Sequence, residues 1–173
     1  KLTGTYNTAE LDQNIDTGIT KKEIERITKH LLSTPDGFNV LSKIKRLQKS
    51  KQELLDAEVL DWGWAELLAY GSIISEGKNV RMSGQDVKRG TFSHRHAVFF
   101  DEKTNAGYNR LNTLDGANGK YLIYNSLLSE FAVLGFEYGY SQASPDHLAI
   151  WEAQFGDFYN GAQTIVDQFI SAG

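Results

Sequence analysis

The sequence of 173 residues contains no cysteine, only two prolines and a single methionine. The absence of cysteine excludes disulfides, thiolate metal sites and a cysteine nucleophile, although it indicates no cellular compartment. No run of about 18 apolar residues is present, so we predict no membrane-spanning helix, and the first residues lack the apolar core of a signal peptide. Acidic residues outnumber basic ones, 22 to 18, and no basic stripe alternates with aromatic residues. This composition argues against nucleic acid as a partner.

The length of the chain accommodates one domain with a substantial core and an additional segment. We predict that residues 1–60 form a helical connector and that residues 61–173 form the main domain. A predicted closing helix, residues 160–172, runs to the last residue without a tail. From this we expect a piece of a longer parent protein, with the domain cut short at its carboxyl end.

Helices are predicted from capping residues and from apolar spacing. Thr20 to Glu23 has the form of a capping box, and the helix that it starts ends before Pro35. A second helix is predicted at 40–58, and Asp61 is the candidate cap of a third at 62–76. The predicted core-facing stripe of that third helix consists of Trp62, Ala65, Leu68, Ala69 and Ile73. Glu66 lies on this stripe, and its role stays open between a structural and a functional one.

Strand-like segments alternate with helices after residue 76. They cover residues 79–83, 97–100, 121–124 and 148–153. This alternation predicts an α/β domain with a mostly parallel sheet flanked by helices. In such sheets ligands bind beyond the carboxyl ends of the strands. We therefore expect the residues that follow three of these strands, 84–90, 125–130 and 154–158, to lie along one edge.

Two glutamates interrupt an otherwise apolar stretch at residues 127–140, which we predict to be a buried helix. Glu130 and Glu137 are two helical turns apart, so both carboxylates lie on one face. The helix dipole favours the ionised form of Glu130, whereas burial favours the neutral form. A structural ion pair and a ligand contact both stay open for Glu130, while Glu137 fits a structural role better.

His94 and His96 occupy alternate positions beside a predicted strand and could ligate zinc with Asp101 or Glu102. This pattern is weak, and imidazoles that have a structural role or contact a substrate explain it as well. We predict no metal ligand in this chain. The glycine motifs that bind phosphates of nucleotides are also missing from the sequence.

Four segments, taken together, resemble a known family. They are Asp61 to Glu66, Ser83 to Val98, Tyr124 to Glu130 and Trp151 to Phe158. These segments are similar to the transketolase-like pyrimidine-binding domain of the thiamine-diphosphate-dependent first component of the 2-oxoglutarate dehydrogenase complex. The resemblance covers about residues 61–173, and the length and dispersion of its segments argue against chance.

The resemblance implies a catalytic role for Glu130. In that family a glutamate at the head of such a helix, nine positions before a glycine, activates the cofactor, and Glu130 and Gly139 have this spacing. Glu130 is thus expected to hydrogen-bond a ring nitrogen of the aminopyrimidine of thiamine diphosphate. Phe158, or alternatively Phe155, is expected to pack on that ring.

The remaining implied site residues lie near the neighbouring strand end. Gln85 and Asp86 are expected at the cofactor, and Arg89, His94 and His96 are candidates for the substrate edge, where a cation or an imidazole could hold a carboxylate. The Mg²⁺ that binds the diphosphate is expected to be held by another domain, because the family motif Gly-Asp-Gly is absent and Gly156-Asp157-Phe158 does not replace it.

The resemblance also implies partners, a location and a reaction. The diphosphate-binding domain of the parent or of its second subunit should complete the site in a homodimer, so this piece alone should be inactive. The expected reaction is oxidative decarboxylation of 2-oxoglutarate with succinyl transfer to a lipoyl-bearing succinyltransferase component, in a bacterial cytoplasm or a mitochondrial matrix. A 2-oxoadipate dehydrogenase, a 2-oxoglutarate decarboxylase and a non-catalytic α/β interaction module are the alternatives.

Overall fold

The computed structural model describes residues 16–172. The start of the predicted connector, residues 1–15, and the last residue of the predicted domain, Gly173, lie outside the described residues. The α-helices are α1 (Lys21–Leu32), α2 (Ser42–Asp56), α3 (Trp62–Ser75), α4 (Glu130–Ala143) and the single turn α5 (Gln163–Ile165). The strands are β1 (Val80–Gly84), β2 (Val98–Phe100), β3 (Gly107–Asn109), β4 (Tyr121–Asn125) and β5 (Leu148–Glu152). Within 16–172, no helix combines the length and the apolar character needed to cross a membrane.

Side-chain caps begin three of the helices. Thr20 accepts a hydrogen bond from the Glu23 amide at 3.2 Å, and Asp61 accepts one from the Trp64 amide at 2.7 Å, which confirms both predicted caps. Ser129 caps α4 in the same way. This helix therefore begins at Glu130, three residues later than its apolar composition predicts.

The main sheet has the strand order β4-β1-β5, and both neighbours of the central strand β1 are parallel to it. The predicted fold class, α/β with a mostly parallel sheet flanked by helices, is confirmed. Strands β2 and β3 form a separate antiparallel pair within the connection from β1 to β4. Strand β3 was not predicted, because its three residues are too few for a recognisable alternation.

Alternation along β1 assigns the helices to opposite faces of the sheet. Val80 and Met82 belong to the main core with α1 and α3, whereas Arg81 points to the other face and pairs with Glu137 of α4. The main core consists of apolar side chains from α1, α3, β1, β4 and the connection between these two strands. The second face has only a small cluster, Leu134, Ala162 and Ile165.

The predicted stripe of α3 is only partly correct, because Leu68 is buried in the main core and Ile73 packs against it, whereas Trp62 and Ala69 are exposed. Trp62 is 91% exposed, while its neighbour Trp64 is 1% exposed and donates its indole N–H to the Lys51 carbonyl. Helix α3 is apolar on nearly all sides, so spacing alone could not indicate which side faces the core. Packing against α1 and the sheet decides its rotation.

The apolar stretch at 127–140 is not a fully buried helix, which corrects the prediction. Leu127 and Leu128 precede the helix and are 84% and 81% exposed, and Phe131 and Phe136 on α4 are also exposed. The predicted closing helix is likewise divided into a 3-10 segment (Gly156–Ala162), α5 and a π-helical turn (Val166–Ile170). Both corrections concern the face of the sheet opposite α1 and α3.

Candidate functional site

The carboxyl ends of the three parallel strands meet in register. Gly84 lies opposite Asn125 on one side and Glu152 on the other. Its φ of +155° favours glycine, and an added Cβ would overlap the carbonyl oxygen of Glu152. Three segments therefore leave the sheet at one close-packed edge, as the sequence predicts.

Glu130 lies at this edge, as the first residue of α4, and is half-buried. Gln85 leaves β1 and donates a hydrogen bond from Nε2 to Oε1 of Glu130 at 3.1 Å. Gly161, in the segment after β5, faces the same carboxylate closely enough that a Cβ there would lie 3.4 Å from Oε2. Oε2 has no hydrogen-bond partner among residues 16–172. This oxygen is available to a ligand.

Glu137 has a different environment from Glu130. It is 3% exposed, and both of its oxygens accept hydrogen bonds from Arg81 Nε at 2.9 and 3.1 Å. The Arg81 guanidinium also lies 4.8 to 5.0 Å from the ring centres of Tyr124, Phe136 and Tyr140. Glu137 therefore has the structural role that the sequence favours.

Three aromatic rings line the loop after β5. The rings of Phe155 and Phe158 meet edge to face with centres 5.8 Å apart, and Phe92 meets Phe155 in the same manner at 6.0 Å. All three rings are partly exposed. Phe92 was not singled out from the sequence, although it lies within the segment that carries the resemblance. The rings form an accessible aromatic surface that suits a flat ligand.

A network of ion pairs around the buried side chain of Arg95 connects the elements that form this edge. Arg95 donates to Glu66 at 2.5 and 2.9 Å, and it also donates to both oxygens of Glu152 and to the Val87 carbonyl. Burial lowers the pKa of Arg95, but hydrogen bonds to the two carboxylates outweigh this effect and raise the pKa above its usual range. The network joins α3 to the end of β5, and it resolves the open role of Glu66 as structural.

His94 lies next to this network. One of its ring nitrogens and a carboxylate oxygen each from Glu66 and Glu152 lie within 4.8 Å of one another, which is a geometry that metal sites also show. The guanidinium of Arg95 already binds both carboxylates and compensates one of their two negative charges. The His94 ring packs on Gly90, where a Cβ would overlap it.

The structure does not group His94 and His96 with Asp101 or Glu102, as the zinc alternative requires. His94 and His96 precede β2 in an irregular segment, and they do not converge with Asp101. The Asp101 carboxylate instead accepts hydrogen bonds from Asn39 and from the Lys103 and Thr104 amides. These donors, that of the Asn39 amide first, hold the pKa of Asp101 well below its usual range.

Asp86, Arg89 and His96 face away from Glu130. Arg89 donates hydrogen bonds to Asp86 at 2.9 Å and to Ser93 at 3.3 Å. Asp86, Arg89 and His96 all line a cavity beside α2. Burial, followed by the positive charges of Lys43 and other neighbours, lowers the pKa of His96 to about 4. Of the predicted cofactor and substrate residues, the structure thus groups Gln85 with Glu130 and separates Asp86, Arg89 and His96 from them.

Comparison with known protein families gives a match over residues 58–173 to the family described as transketolase, pyrimidine binding domain. The match includes the whole parallel sheet and α4. It therefore covers the edge that bears Gln85, Glu130 and the three aromatic rings.

Similar full-length proteins are known from several organisms. The chain is 55% identical over 163 residues to "2-oxoglutarate dehydrogenase, mitochondrial" of Dictyostelium discoideum, covering 91% of this chain and 16% of that protein. It is 53% identical to the protein of the same name in Caenorhabditis elegans, covering 91% of this chain and 15% of that protein. It is 49% identical to the "Multifunctional 2-oxoglutarate metabolism enzyme" of Mycobacterium sp. (strain JLS), covering 95% and 14%. The chain thus spans about one seventh of the length of these relatives.

Proposed function

The chain belongs to the transketolase pyrimidine-binding domain family, and we propose that it supplies the aminopyrimidine half of the thiamine diphosphate site in a 2-oxoglutarate dehydrogenase. The names of its relatives support 2-oxoglutarate as the substrate. The position of Glu130 supports this proposal most directly. Its Oε2 is available at the carboxyl edge of the sheet, while Gln85 donates a hydrogen bond to Oε1.

The residues at this edge fit an aminopyrimidine ring. Such a ring has two flat apolar faces and a polar rim, and the exposed rings of Phe155 and Phe158 offer edges and faces for stacking. Glu130 lies beside the same segments, because the 3-10 segment that carries Phe158 also carries Gly161, which faces the carboxylate. A flat ring on the aromatic surface could therefore present a nitrogen to Glu130.

Each residue has a defined task in this proposal. Glu130 shares a proton with a ring nitrogen through Oε2, and Gln85 keeps the carboxylate oriented by its hydrogen bond to Oε1. Phe158, with Phe155 as the alternative, packs on the ring. Thiamine diphosphate, when bound, would supply the carbon nucleophile and the electron sink that decarboxylation of a 2-oxo acid requires. The network around Arg95 keeps the end of β5, and with it the aromatic loop, in place.

The other half of the site is proposed to come from elsewhere. The Mg²⁺ and the diphosphate would be held by the diphosphate-binding domain of the parent or of its second subunit in a homodimer. The exposed side chains of Leu127, Leu128 and Phe131, directly before and within the start of α4, support such a contact, since an apolar patch beside a ligand edge is typical of an interface. In this arrangement residues 1–60 act as the connector and 61–173 as the pyrimidine-binding domain.

The proposed reaction of the full-length protein is oxidative decarboxylation of 2-oxoglutarate, with transfer of the succinyl group to a lipoyl-bearing succinyltransferase component. The predicted substrate-edge residues are not equivalent in it. His94 lies beside Glu152 and Phe92 at the proposed site, whereas Arg89 and His96 line a cavity that Glu130 does not reach. His94 is therefore the proposed substrate-edge residue of the three.

The test is the substitution Glu130→Gln in the full-length protein, assayed with thiamine diphosphate, Mg²⁺, 2-oxoglutarate and the lipoyl partner. Loss of one properly placed proton-transfer group should lower kcat about 100-fold or more, while the thermal unfolding temperature stays that of the unmodified protein. Glu76→Gln removes an exposed carboxylate at the end of α3 and is the matched control, which should keep full activity.

Two outcomes would contradict the proposal. Full turnover in the Glu130→Gln variant would remove Glu130 from catalysis. A variant that unfolds at a much lower temperature, but whose folded fraction turns over normally, would instead indicate a structural acid in a non-catalytic interaction module. Replacing 2-oxoglutarate with 2-oxoadipate in the same assay, or omitting the lipoyl partner, distinguishes the other members of the family.

A further inference from the structure

The cavity that Asp86, Arg89 and His96 line is separate from Glu130 and lies between α2 and the turn after β1. Its volume is about 380 Å³. The first turn of α2, the residues that follow β1, strand β2 and the end of β4 form its walls. Gln85 reaches Glu130 while the next residue, Asp86, lines this cavity, so the two sites lie on different sides of the same turn.

The amino terminus of α2 lies beside the cavity and has no side-chain cap. Leu41 occupies the N-cap position, no side chain caps the helix, and the first turn contains no acidic residue. The amides of Ser42 and Lys43 have no hydrogen-bond acceptor among the described residues. A helix of 15 residues thus presents free N–H groups and the positive end of its dipole at this point.

The charged side chains around the cavity are mostly basic. Lys43, Lys88 and Arg89 line it together with one carboxylate, that of Asp86. Arg89 hydrogen-bonds this carboxylate and compensates its charge. Within residues 16–172, neither Lys43 nor Lys88 has an ion-pair partner. Positive charge at the cavity is therefore uncompensated.

His96 contributes a further polar group, its imidazole, to the cavity wall. Its ring is 9% exposed and lines the cavity, yet it makes no side-chain hydrogen bond within the described part of the chain. Its φ of +41° is unusual for a residue with a Cβ, and it is held there by hydrogen bonds from its own amide to Arg89 O and from Arg110 to its carbonyl. Backbone conformations of this kind cluster at functional sites, and the imidazole adds to the cavity wall a hydrogen-bonding group that has no partner among residues 16–172.

We propose that this cavity is a binding site for a small oxyanion, either a phosphate group or a carboxylate, held by His96, Lys43 and the amino terminus of α2. Each of these groups can donate a hydrogen bond to an anionic oxygen, and the helix terminus adds a favourable dipole. The remaining walls, which include Ile44, Val98 and Phe100, are apolar and suit the carbon part of a larger ligand. The site does not involve Glu130 and is independent of the function proposed for it.

The experiment measures binding of sodium phosphate and of sodium succinate to the full-length protein by isothermal titration calorimetry, with sodium chloride at matched ionic strength as the reference. Thiamine diphosphate and Mg²⁺ are present at saturation, so that phosphate cannot occupy a diphosphate site. Lys43→Gln removes one donor and one charge from an exposed position, where folding is not at risk. Lys45→Gln, on the same helix and outside the cavity, is the matched control.

Lys43→Gln should weaken binding of the anion about tenfold, the usual effect of losing one charge-assisted hydrogen bond, while Lys45→Gln leaves it unchanged. His96→Asn, which tolerates the left-handed backbone, should weaken it as well. Binding of phosphate alone identifies a phosphate ligand, and binding of succinate that depends on Lys43 identifies a carboxylate. The proposal is overturned if neither anion binds above the chloride reference, or if Lys43→Gln and Lys45→Gln have equal effects.

Discussion

The two faces of the parallel sheet differ in how much apolar surface they bury. On the face covered by α1 and α3, Ile27, Leu31 and Ile74 are fully inaccessible to solvent. On the face covered by α4, the buried cluster consists of three residues, and the side chains around the start of the helix are largely exposed. Both faces are nevertheless built from apolar sequence. The apolar composition of the segments alone therefore does not indicate which face of the sheet is buried.

This difference suggests separate roles for the two faces. The first face contributes most of the free energy of folding, since that free energy scales with the apolar area removed from water. The second face carries Glu130 and the exposed apolar side chains beside it, and contiguous patches of that kind usually mark a contact with other protein. Two substitutions and one pH dependence sharpen this comparison, beginning with the largest expected effect.

The substitution Arg95→Met should be the most destabilising, because it leaves the carboxylates of Glu66 and Glu152 together without a cation. Breaking a buried ion-pair network in this way costs about 3–5 kcal/mol, and the lower end applies here since both carboxylates are partly exposed. Urea unfolding of the chain measures the loss. Arg46→Met, at an exposed position of α2, is the control and should be nearly neutral.

A decrease in pH should have an intermediate effect on the free energy of unfolding, because of the lowered pKa of His96. Its pKa is about 4 in the folded chain against a usual value of 6.5, so the unfolded chain takes up a proton first as the pH falls. The free energy of unfolding should therefore decline between pH 6.5 and about 4, and the His96→Asn variant should decline less over this window. Parallel curves for the two proteins, measured by urea unfolding at several pH values, would contradict the assignment.

The smallest effect is predicted for Leu128→Ser on the second face. This side chain is mostly exposed, so the free energy of unfolding of the chain should change by about 0.5 kcal/mol or less. In the full-length protein the same change should weaken subunit association, which sedimentation velocity measures. If the chain itself lost several kcal/mol, the second face would be part of the core after all.

Local signals in the sequence were reliable where a few neighbouring residues decide the structure. The caps at Thr20 and Asp61 depend on one side chain and on an amide three residues later, and both were predicted. The rotation of α3 was not, because nearly every position of the helix is apolar and the sheet chooses the buried side. Trp62, which was expected in the core, is exposed for this reason, and Trp64 is buried.

Side-chain partners that come from distant segments could not be read from the sequence. The partner of Glu137 is Arg81 of β1, and the partners of Arg95 come from α3 and β5. The site edge itself was predictable, because the carboxyl ends of parallel strands must meet. The separation of His94 from His96 was not, since it depends on the left-handed backbone of His96 in an irregular segment.

The central position of β1 has a consequence for the order of folding. Val80 pairs with Tyr121 on one side and with Leu148 on the other, so each strand pair closes a long loop of chain. The entropy of closing such loops makes sheet formation slow in comparison with the pairing of α1 and α3. During synthesis both edges of β1 stay unpaired until β4 and then β5 have left the ribosome, so the edge that carries Glu130 is complete only after β5 has paired.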